Sequence, residues 1–272
     1  MPELPEAESA RLVIENLALH RRIGSVDDVD PYVARPERPA TFSRALVGGE
    51  LTQAQRQGKS LRVTTAHDGI GGASLGLHLG MGGRLVVVDA AGEIVPGGDS
   101  THGLAGAHAE KWDRFTLRFH DGGALHLVDK RRLGRAVLNP DLSRLGPDAM
   151  EVNLATFRRR LGTSSAPIKA RLINQAVIAG VGNLIADETL WRARIDPVTP
   201  TRDLSAVELA GLHRSLRSAL RNAIRRGGSH AGNVIPARHP AGRCPRCGAP
   251  MQWARIGGRS TWSCSKEQSR RQ

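Results

Sequence analysis

Phe115-Thr116-Leu117-Arg118-Phe119-His120-Asp121-Gly122-Gly123-Ala124-Leu125-His126-Leu127 decides the architecture of the first half of this 272-residue chain. Apolar side chains alternate at 115, 117 and 119, Asp121-Gly122-Gly123 supplies a turn, and Leu125 and Leu127 alternate back. That is the pattern of an antiparallel hairpin with one buried face. Upstream, Leu85-Val86-Val87-Val88 reads as a buried strand. From about Thr41 to Leu138 the pattern is mostly period two and rich in glycine, which predicts a β-sandwich or barrel. Before it, Pro5 suits a first helical turn. Leu12, Val13 and Leu17 give an apolar side to a helix running to about Leu19, and Pro31, Pro36 and Pro39 mark the loop that follows.

Residues 139–152 contain Pro140, Gly146 and Pro147 and read as a linker between a first domain, 1–138, and a helical second, 153–232. Ser165-Ala166-Pro167 looks like a helix start, with Ile168, Leu172 and Ile173 on one face. Gly180-Val181-Gly182-Asn183 opens another helix, carrying Leu184, Leu190 and Trp191. Glycines ahead of a helix N-terminus expose backbone N–H groups and a positive dipole end, a ready phosphate site, to which Asn183 adds an amide; the same pattern also serves any tight turn between helices. Ser205-Ala206-Val207-Glu208 is a capping box. The helix behind it places Leu209, Leu212, Leu216, Leu220 and Ile224 on one face and Arg214, Arg217, Arg221 and Arg225 on another. The α+β class and several domains follow.

The charge is unevenly distributed. The chain carries a net +13, yet residues 201–272 hold fourteen Lys/Arg against three Asp/Glu, so eleven of those charges sit in the last quarter. A basic surface of that kind points to a polyanionic partner. No signal peptide and no long apolar run is present, which points to a cytoplasmic protein without a membrane partner.

The chemistry concentrates at the start, in Met1-Pro2-Glu3-Leu4-Pro5-Glu6. Removal of Met1 would leave a secondary amine on Pro2. An α-amino group titrates near pH ~8, so part of it is neutral and nucleophilic at working pH. Condensed with a sugar C1′ it gives an iminium, an electron sink like that of lysine Schiff-base enzymes, and Glu3 beside it is a candidate general acid and base. Alone, these six residues would equally describe a loose terminus with incidental acids. Lys59, entering a strand from Gln57-Gly58, could reach a phosphate or this terminus. Met81 stands in a glycine-flanked tip, His78-Leu79-Gly80-Met81-Gly82-Gly83. Asp129-Lys130-Arg131-Arg132-Leu133-Gly134 is a second, basic tip that ends in an apolar residue. Arginine plus an apolar wedge is what fills the hole left by an extruded base.

Three cysteines, all after residue 243, do not suggest a disulfide framework. The 239–272 segment reads as a zinc ribbon instead. Cys244-Pro245-Arg246-Cys247-Gly248 is a knuckle, and Cys264 follows a hairpin bearing Arg259. The fourth cysteine expected at 267 is replaced by Glu267, a carboxylate that zinc also accepts; His239 and His230 fit the role less well.

Taken together the chain resembles the formamidopyrimidine-DNA glycosylase (MutM) / endonuclease VIII family, nearly end to end. The marks are Pro2-Glu3-Leu4-Pro5-Glu6, Gly180-Val181-Gly182-Asn183 and the cysteine ribbon, in family order, and the Leu4-Pro5 opening resembles the formamidopyrimidine branch. The resemblance implies an N-terminal β-sandwich, a helix–two-turn–helix domain and a zinc finger. It implies a monomer acting on damaged double-stranded DNA at the bacterial nucleoid. The implied activity is removal of 8-oxoguanine and formamidopyrimidines through a proline Schiff base, then strand cleavage by β,δ-elimination; a bias to oxidised pyrimidines or abasic sites, or lesion binding without catalysis, are the alternatives. It makes Pro2 the nucleophile, Glu3 the proton shuttle, Glu6 a carboxylate of the base pocket and Lys59 a catalytic-site lysine at the DNA backbone. Asn183 and Arg259 match phosphate binders. Met81 and Arg131 match two of three residues that fill the vacated stack, the third being Leu133 where the family usually has Phe. One structural Zn²⁺ is implied, on Cys244, Cys247, Cys264 and Glu267.

Overall fold

The computed structural model describes residues 1–38, 40–98 and 110–269. Pro39 of the proline-marked loop and the last three residues of the 239–272 segment lie outside them. The chain resolves into two compact units, Met1–Leu142 and Ser143–Gln272, with the boundary inside the 139–152 stretch.

Two antiparallel sheets build the first unit. One has the order β1-β7-β8-β5-β6, from Ile23–Asp27 (β1), Arg84–Val88 (β5), Ile94–Gly97 (β6), Asp113–Phe119 (β7) and Ala124–Val128 (β8). The other has the order β2-β3-β4-β9, from Glu50–Gln57 (β2), Ser60–His67 (β3), Ile70–His78 (β4) and Arg135–Leu138 (β9). The predicted hairpin is β7–β8, in which Leu117 pairs with Leu125 and Phe115 with Leu127. Leu85, Val87, Phe115, Leu117 and Leu127 from one sheet and Leu51, Leu61, Val63, Leu75 and Leu77 from the other share one core, which is the sandwich.

Helix α1 (Leu4–Leu17) closes on that core. Its buried face is Leu4, Ala7, Ala10 and Ile14, whereas Leu12 is exposed and Val13 and Leu17 lie at the margin. The expected Leu12-Val13-Leu17 side is therefore rotated. The reason is close approach: Gly97 of β6 lies so near Ala10 and Val13 that a Cβ there would meet the Ala10 backbone at 2.8 Å. Small residues face the sheet, and the larger ones flank it. Thr41–Leu46 forms a short helix, α2, within the stretch read as period two, because Phe42 and Leu46, four apart, both enter the core.

The second unit is helical and ends in a hairpin. Its helices are α3 (Leu154–Leu161), α4 (Ile168–Leu172), α5 (Asn183–Ala193) and α6 (Ala206–Arg225). Asn153 caps α3 by accepting from the Thr156 N–H, and the Ser205–Glu208 capping box starts α6 as its sequence predicts. On α6, Leu212, Leu216 and Leu220 are buried, and Arg214, Arg221 and Arg225 are exposed. The last element pair is β10 (Met251–Ile256) with β11 (Arg259–Cys264). Gly257 and Gly258 join them at φ of 58° and 73°, the double positive φ of a type I′ turn.

Candidate functional site

The chain start is fixed by its own helix. Glu3 is the N-cap of α1, and its N–H donates to Glu6 Oε2 at 2.8 Å in a reciprocal capping box. Pro2 is buried, Met1 is exposed, and the Glu3 and Glu6 side chains are fully enclosed. Buried carboxylates are costly unless hydrogen-bonded, and two of them beside a terminus mark a site rather than a loose end. Glu6 reaches the same place, with one oxygen already bonded to the cap.

Lys59 sits in the two-residue loop between β2 and β3, where Gln57 pairs with Ser60. Gly58 takes φ +61° while Lys59 stays out of the left-handed region, the distribution of a type II′ turn. Arg56 anchors this turn. Its Nε donates to Glu8 Oε2 of α1 at 2.7 Å, and its Nη1 donates to the Gly58 carbonyl at 3.1 Å. The lysine loop and the helix that carries Pro2 are thus tied through one ion pair. His78, at the end of β4 opposite Ser60, is a neighbour that no local sequence pattern marks as functional. Its Nδ1 accepts from the Gly80 N–H at 3.0 Å. Burial, and next the charge of Lys59, hold its pKa below the ordinary histidine value. The neutral ring with Nδ1 accepting keeps its proton on Nε2, which is then a donor.

Met81, Arg131 and Leu133 come together on one side of the first unit. The Arg131 guanidinium donates to the Met81 carbonyl. Gly80, at φ +59°, packs against the Leu133 backbone, where a side chain has no room. Met81 and Leu133 are 46% and 43% exposed, so both apolar side chains point into solvent from adjoining tips. Asp129, buried, shapes the second tip: it accepts from the N–H groups of Arg131 (3.0 Å), Leu133 (2.7 Å) and Gly134 (2.7 Å). The signal for it was the Asx-turn pattern, an aspartate heading a turn.

In the second unit, Gly180-Val181-Gly182 leads into α5 with Asn183 as its first residue. The Asn183 Oδ1 is buried without a hydrogen-bond partner among the described residues. Gln175 moulds the turn. Its Oε1 accepts from Gly180 N–H at 2.9 Å, and its Nε2 donates to the Val181 and Ile173 carbonyls, each at 2.8 Å. Arg259 is exposed at the hairpin turn, next to Ser260. A buried network seats that hairpin on α4 and α5. Lys169 Nζ donates to Asp187 Oδ1 (2.6 Å), Thr261 Oγ1 (2.8 Å) and the Ser260 carbonyl (3.1 Å). Arg238 Nε donates to the other Asp187 oxygen at 2.8 Å. Asp187 lies one turn along α5 from Asn183, so the network relates the two candidate phosphate contacts.

Cys244, Cys247 and Cys264 gather their Sγ atoms within 4.8 Å of one another. Thiolates on tetrahedral zinc at about 2.3 Å stand about 3.8 Å apart, so the three fit a metal. Burial pushes the Cys244 thiol up, but hydrogen bonds from Trp191 Nε1 and nearby backbone N–H groups bring it to about 7. Cys264 is pushed up to about 11, chiefly by burial. Glu267 is not brought into the donor group. Its Oε2 lies 2.6 Å from Arg246 Nη1. His230 and His239 are outside the group as well.

A capped amine-bearing terminus on a β-sandwich, with a helical unit that ends in a thiolate ribbon, defines a class of DNA-processing enzymes. The profile of the formamidopyrimidine-DNA glycosylase N-terminal domain matches residues 1–136, and that of the formamidopyrimidine-DNA glycosylase H2TH domain matches 145–233. Formamidopyrimidine-DNA glycosylase of Herpetosiphon aurantiacus is 33% identical, over 97% of this chain and 98% of the relative. That of Latilactobacillus sakei is 30% identical over 100% and 99%. Among solved structures, the Lactococcus lactis Fpg (MutM) in complex with DNA containing an oxidised pyrimidine superposes with a TM-score of 0.80 at 27% identity, covering 99% of this chain and all of that one. The same protein in complex with Fapy-dG-containing DNA also gives 0.80 at 27% identity, covering 98% of this chain and all of that one. The chain belongs to the formamidopyrimidine-DNA glycosylase family. It is a DNA glycosylase of base excision repair with lyase activity at abasic sites.

Proposed function

We propose that Pro2, freed of Met1, is the nucleophile, and that the enzyme removes oxidised purines, 8-oxoguanine and formamidopyrimidines, from duplex DNA. The observation that carries this reading is the capping box between Glu3 and Glu6, which fixes a buried chain start directly after the buried Pro2. The Pro2 nitrogen bonds to C1′ and the C1′–base bond breaks, while Glu3 delivers the proton that opens the sugar ring. The iminium so formed acidifies C2′, and loss of that proton expels the 3′ phosphate. A second elimination expels the 5′ phosphate and leaves a one-nucleotide gap. Lys59 and the Nε2–H of His78 contact the DNA backbone beside the reacting sugar, with Glu6 at the base. Met81, Arg131 and Leu133 occupy the vacated stack. Residues 1–138 perform the chemistry. The helical segment 153–232 and the ribbon 239–272 hold phosphates through Asn183 and Arg259, with one structural Zn²⁺ on the cysteines. The enzyme works as a monomer on DNA in the bacterial cytoplasm, at the nucleoid.

Leu133 supports a second reading at the level of lesion choice. An aliphatic wedge in place of an aromatic one stacks less on the orphaned base, so oxidised pyrimidines enter the substrate range. Borohydride trapping on abasic-site DNA tests the proline scheme. The purified enzyme gives a covalent adduct and Pro2→Gly, whose terminal amine is primary, gives a much smaller yield; an adduct of undiminished yield from Pro2→Gly, or from protein whose intact mass retains Met1, overturns it. Excision assays on 8-oxoguanine, formamidopyrimidine and thymine-glycol duplexes rank the lesions.

A further inference from the structure

We infer that the metal of the ribbon is held by three protein thiolates with an exchangeable fourth ligand from solution, and that an Arg246–Glu267 ion pair does the mechanical work of the missing fourth bond. The inference rests on the reading that the cysteine cluster holds a divalent metal. Position 267 follows Cys264 by three, where a second knuckle places its last donor. The Glu267 backbone keeps the knuckle geometry, its N–H donating to Cys264 Sγ at 3.3 Å. Its carboxylate does not turn to the thiols. Oε2 is 2.6 Å from Arg246 Nη1, and Oε1 is 3.9 Å from Arg194 Nη2.

Arg246 lies inside the first knuckle, between Cys244 and Cys247. The pair therefore bridges the same two knuckles that a fourth metal bond would bridge. Arg246 is itself seated on α5: its Nη2 donates to the Trp191 carbonyl at 3.1 Å, and its guanidinium lies 4.2 Å over the Trp191 ring. The second knuckle is docked independently of any ion. Buried Gln268 accepts from the Cys264 N–H at 2.9 Å and donates to the Ile195 carbonyl at 3.0 Å. Moving Glu267 onto the metal would break its charge pairing with Arg246 in a partly buried setting, where such pairs are screened less than at the open surface. No other His, Asp or Glu among the described residues joins the thiol group. Zinc and cobalt require four donors in such a site, so the last comes from solution.

Cobalt(II) reports donor number and type through its thiolate charge-transfer and d–d bands. The full-length protein, loaded with cobalt and competed with zinc, is compared with Glu267→Gln, Glu267→Cys and Arg246→Ala. The expected results are a wild-type spectrum that shifts on adding imidazole, and a Glu267→Gln spectrum and metal affinity within about twofold of wild type. Glu267→Cys gains thiolate intensity, loses the imidazole response and binds metal about tenfold tighter or more. After chelation, wild type keeps the tryptophan fluorescence of a docked ribbon and Arg246→Ala loses it. A loss of affinity above about tenfold or a changed spectrum in Glu267→Gln makes the carboxylate a ligand and overturns the inference. So does a wild-type spectrum that ignores imidazole, or a wild-type ribbon that collapses on chelation as fully as Arg246→Ala. No cobalt binding by any form overturns the metal reading itself, and this inference with it.

Discussion

Arg56 is remote from the proposed nucleophile, yet it anchors the turn that carries Lys59. It joins Glu8 of α1 to the carbonyl just before Lys59, and its own side chain is only 6% exposed. Arg56→Ala lets the lysine turn drift relative to the helix that carries Pro2. Displacements of about 1 Å cost up to about a hundredfold in rate. A fall of about tenfold or more in the single-turnover trapping rate is expected, with DNA affinity nearly unchanged; an unaltered trapping rate would show that the turn holds without the arginine. The pair also predicts a pH effect. Burial raises the Glu8 pKa, but Arg11 and Arg56 outweigh it and hold the carboxyl below its ordinary 4.5. A lowered folded-state pKa gives stability that is present above about 4.5 and lost as pH falls through the lower folded value. The melting-temperature gap between wild type and Glu8→Gln is therefore widest at neutral pH and closes towards acid. His78 has the same sign, since a depressed histidine pKa makes acid protonation unfavourable in the folded state. These two residues were visible in the sequence as letters only. Glu8 lies 48 positions from Arg56, and no local pattern announces such a pairing.

At the level of elements, the parts with a local cause were legible. The β7–β8 hairpin has its turn residues, α6 has its capping box and leucine row, and the knuckle has its cysteine spacing. The rotation of α1, the helix over Thr41–Leu46 and the Lys169–Asp187–Arg238 network were not legible, because each depends on what packs opposite. The network has the larger energetic consequence. Lys169 and Asp187 are both fully buried. Lys169→Ala leaves the buried Asp187 with Arg238 as its one cationic partner among the described residues, beside the Trp262 N–H, and breaking such a pair costs about 3 kcal/mol or more. Urea unfolding of Lys169→Ala should show that loss, while the apolar double change Lys169→Met with Asp187→Leu should lose less, because the two fully buried charges go together and only Arg238, whose side chain reaches the surface, loses its partner. The Met81–Leu133 tips carry a separate expectation. On the proposed wedge role, Leu133→Ala removes half of the apolar surface, so excision of a paired lesion should fall several-fold. Nicking of preformed abasic sites, where no base must be expelled, should change little.

For the whole molecule, charge sets the encounter with DNA, and its distribution makes a quantitative test. Two hundred residues are close to neutral, and the last seventy-two hold a net +11. Binding to duplex DNA should weaken linearly in log affinity against log salt, with a slope of about −0.9 per phosphate neutralised. Not every arginine contributes equally to that slope. Arg259 stands at the ribbon turn, beside the Ser260 carbonyl that Lys169 grips, so its side chain is presented from a rigid mount. Arg214, Arg221 and Arg225 are exposed along α6, and no hydrogen bond among the described residues ties them to the Asn183 turn. A cation in direct phosphate contact releases a counterion, whereas one standing beyond about 8 Å at physiological salt is largely screened. Arg259→Ala should therefore reduce the magnitude of the salt slope by about one and weaken damaged and undamaged duplexes alike. Each single α6 replacement should lower affinity at low salt and leave the slope nearly unchanged. Fluorescence anisotropy titrations across a salt series separate the cases, and a slope lowered by about one in Arg221→Ala but unmoved in Arg259→Ala would relocate the phosphate contacts from the ribbon turn to α6.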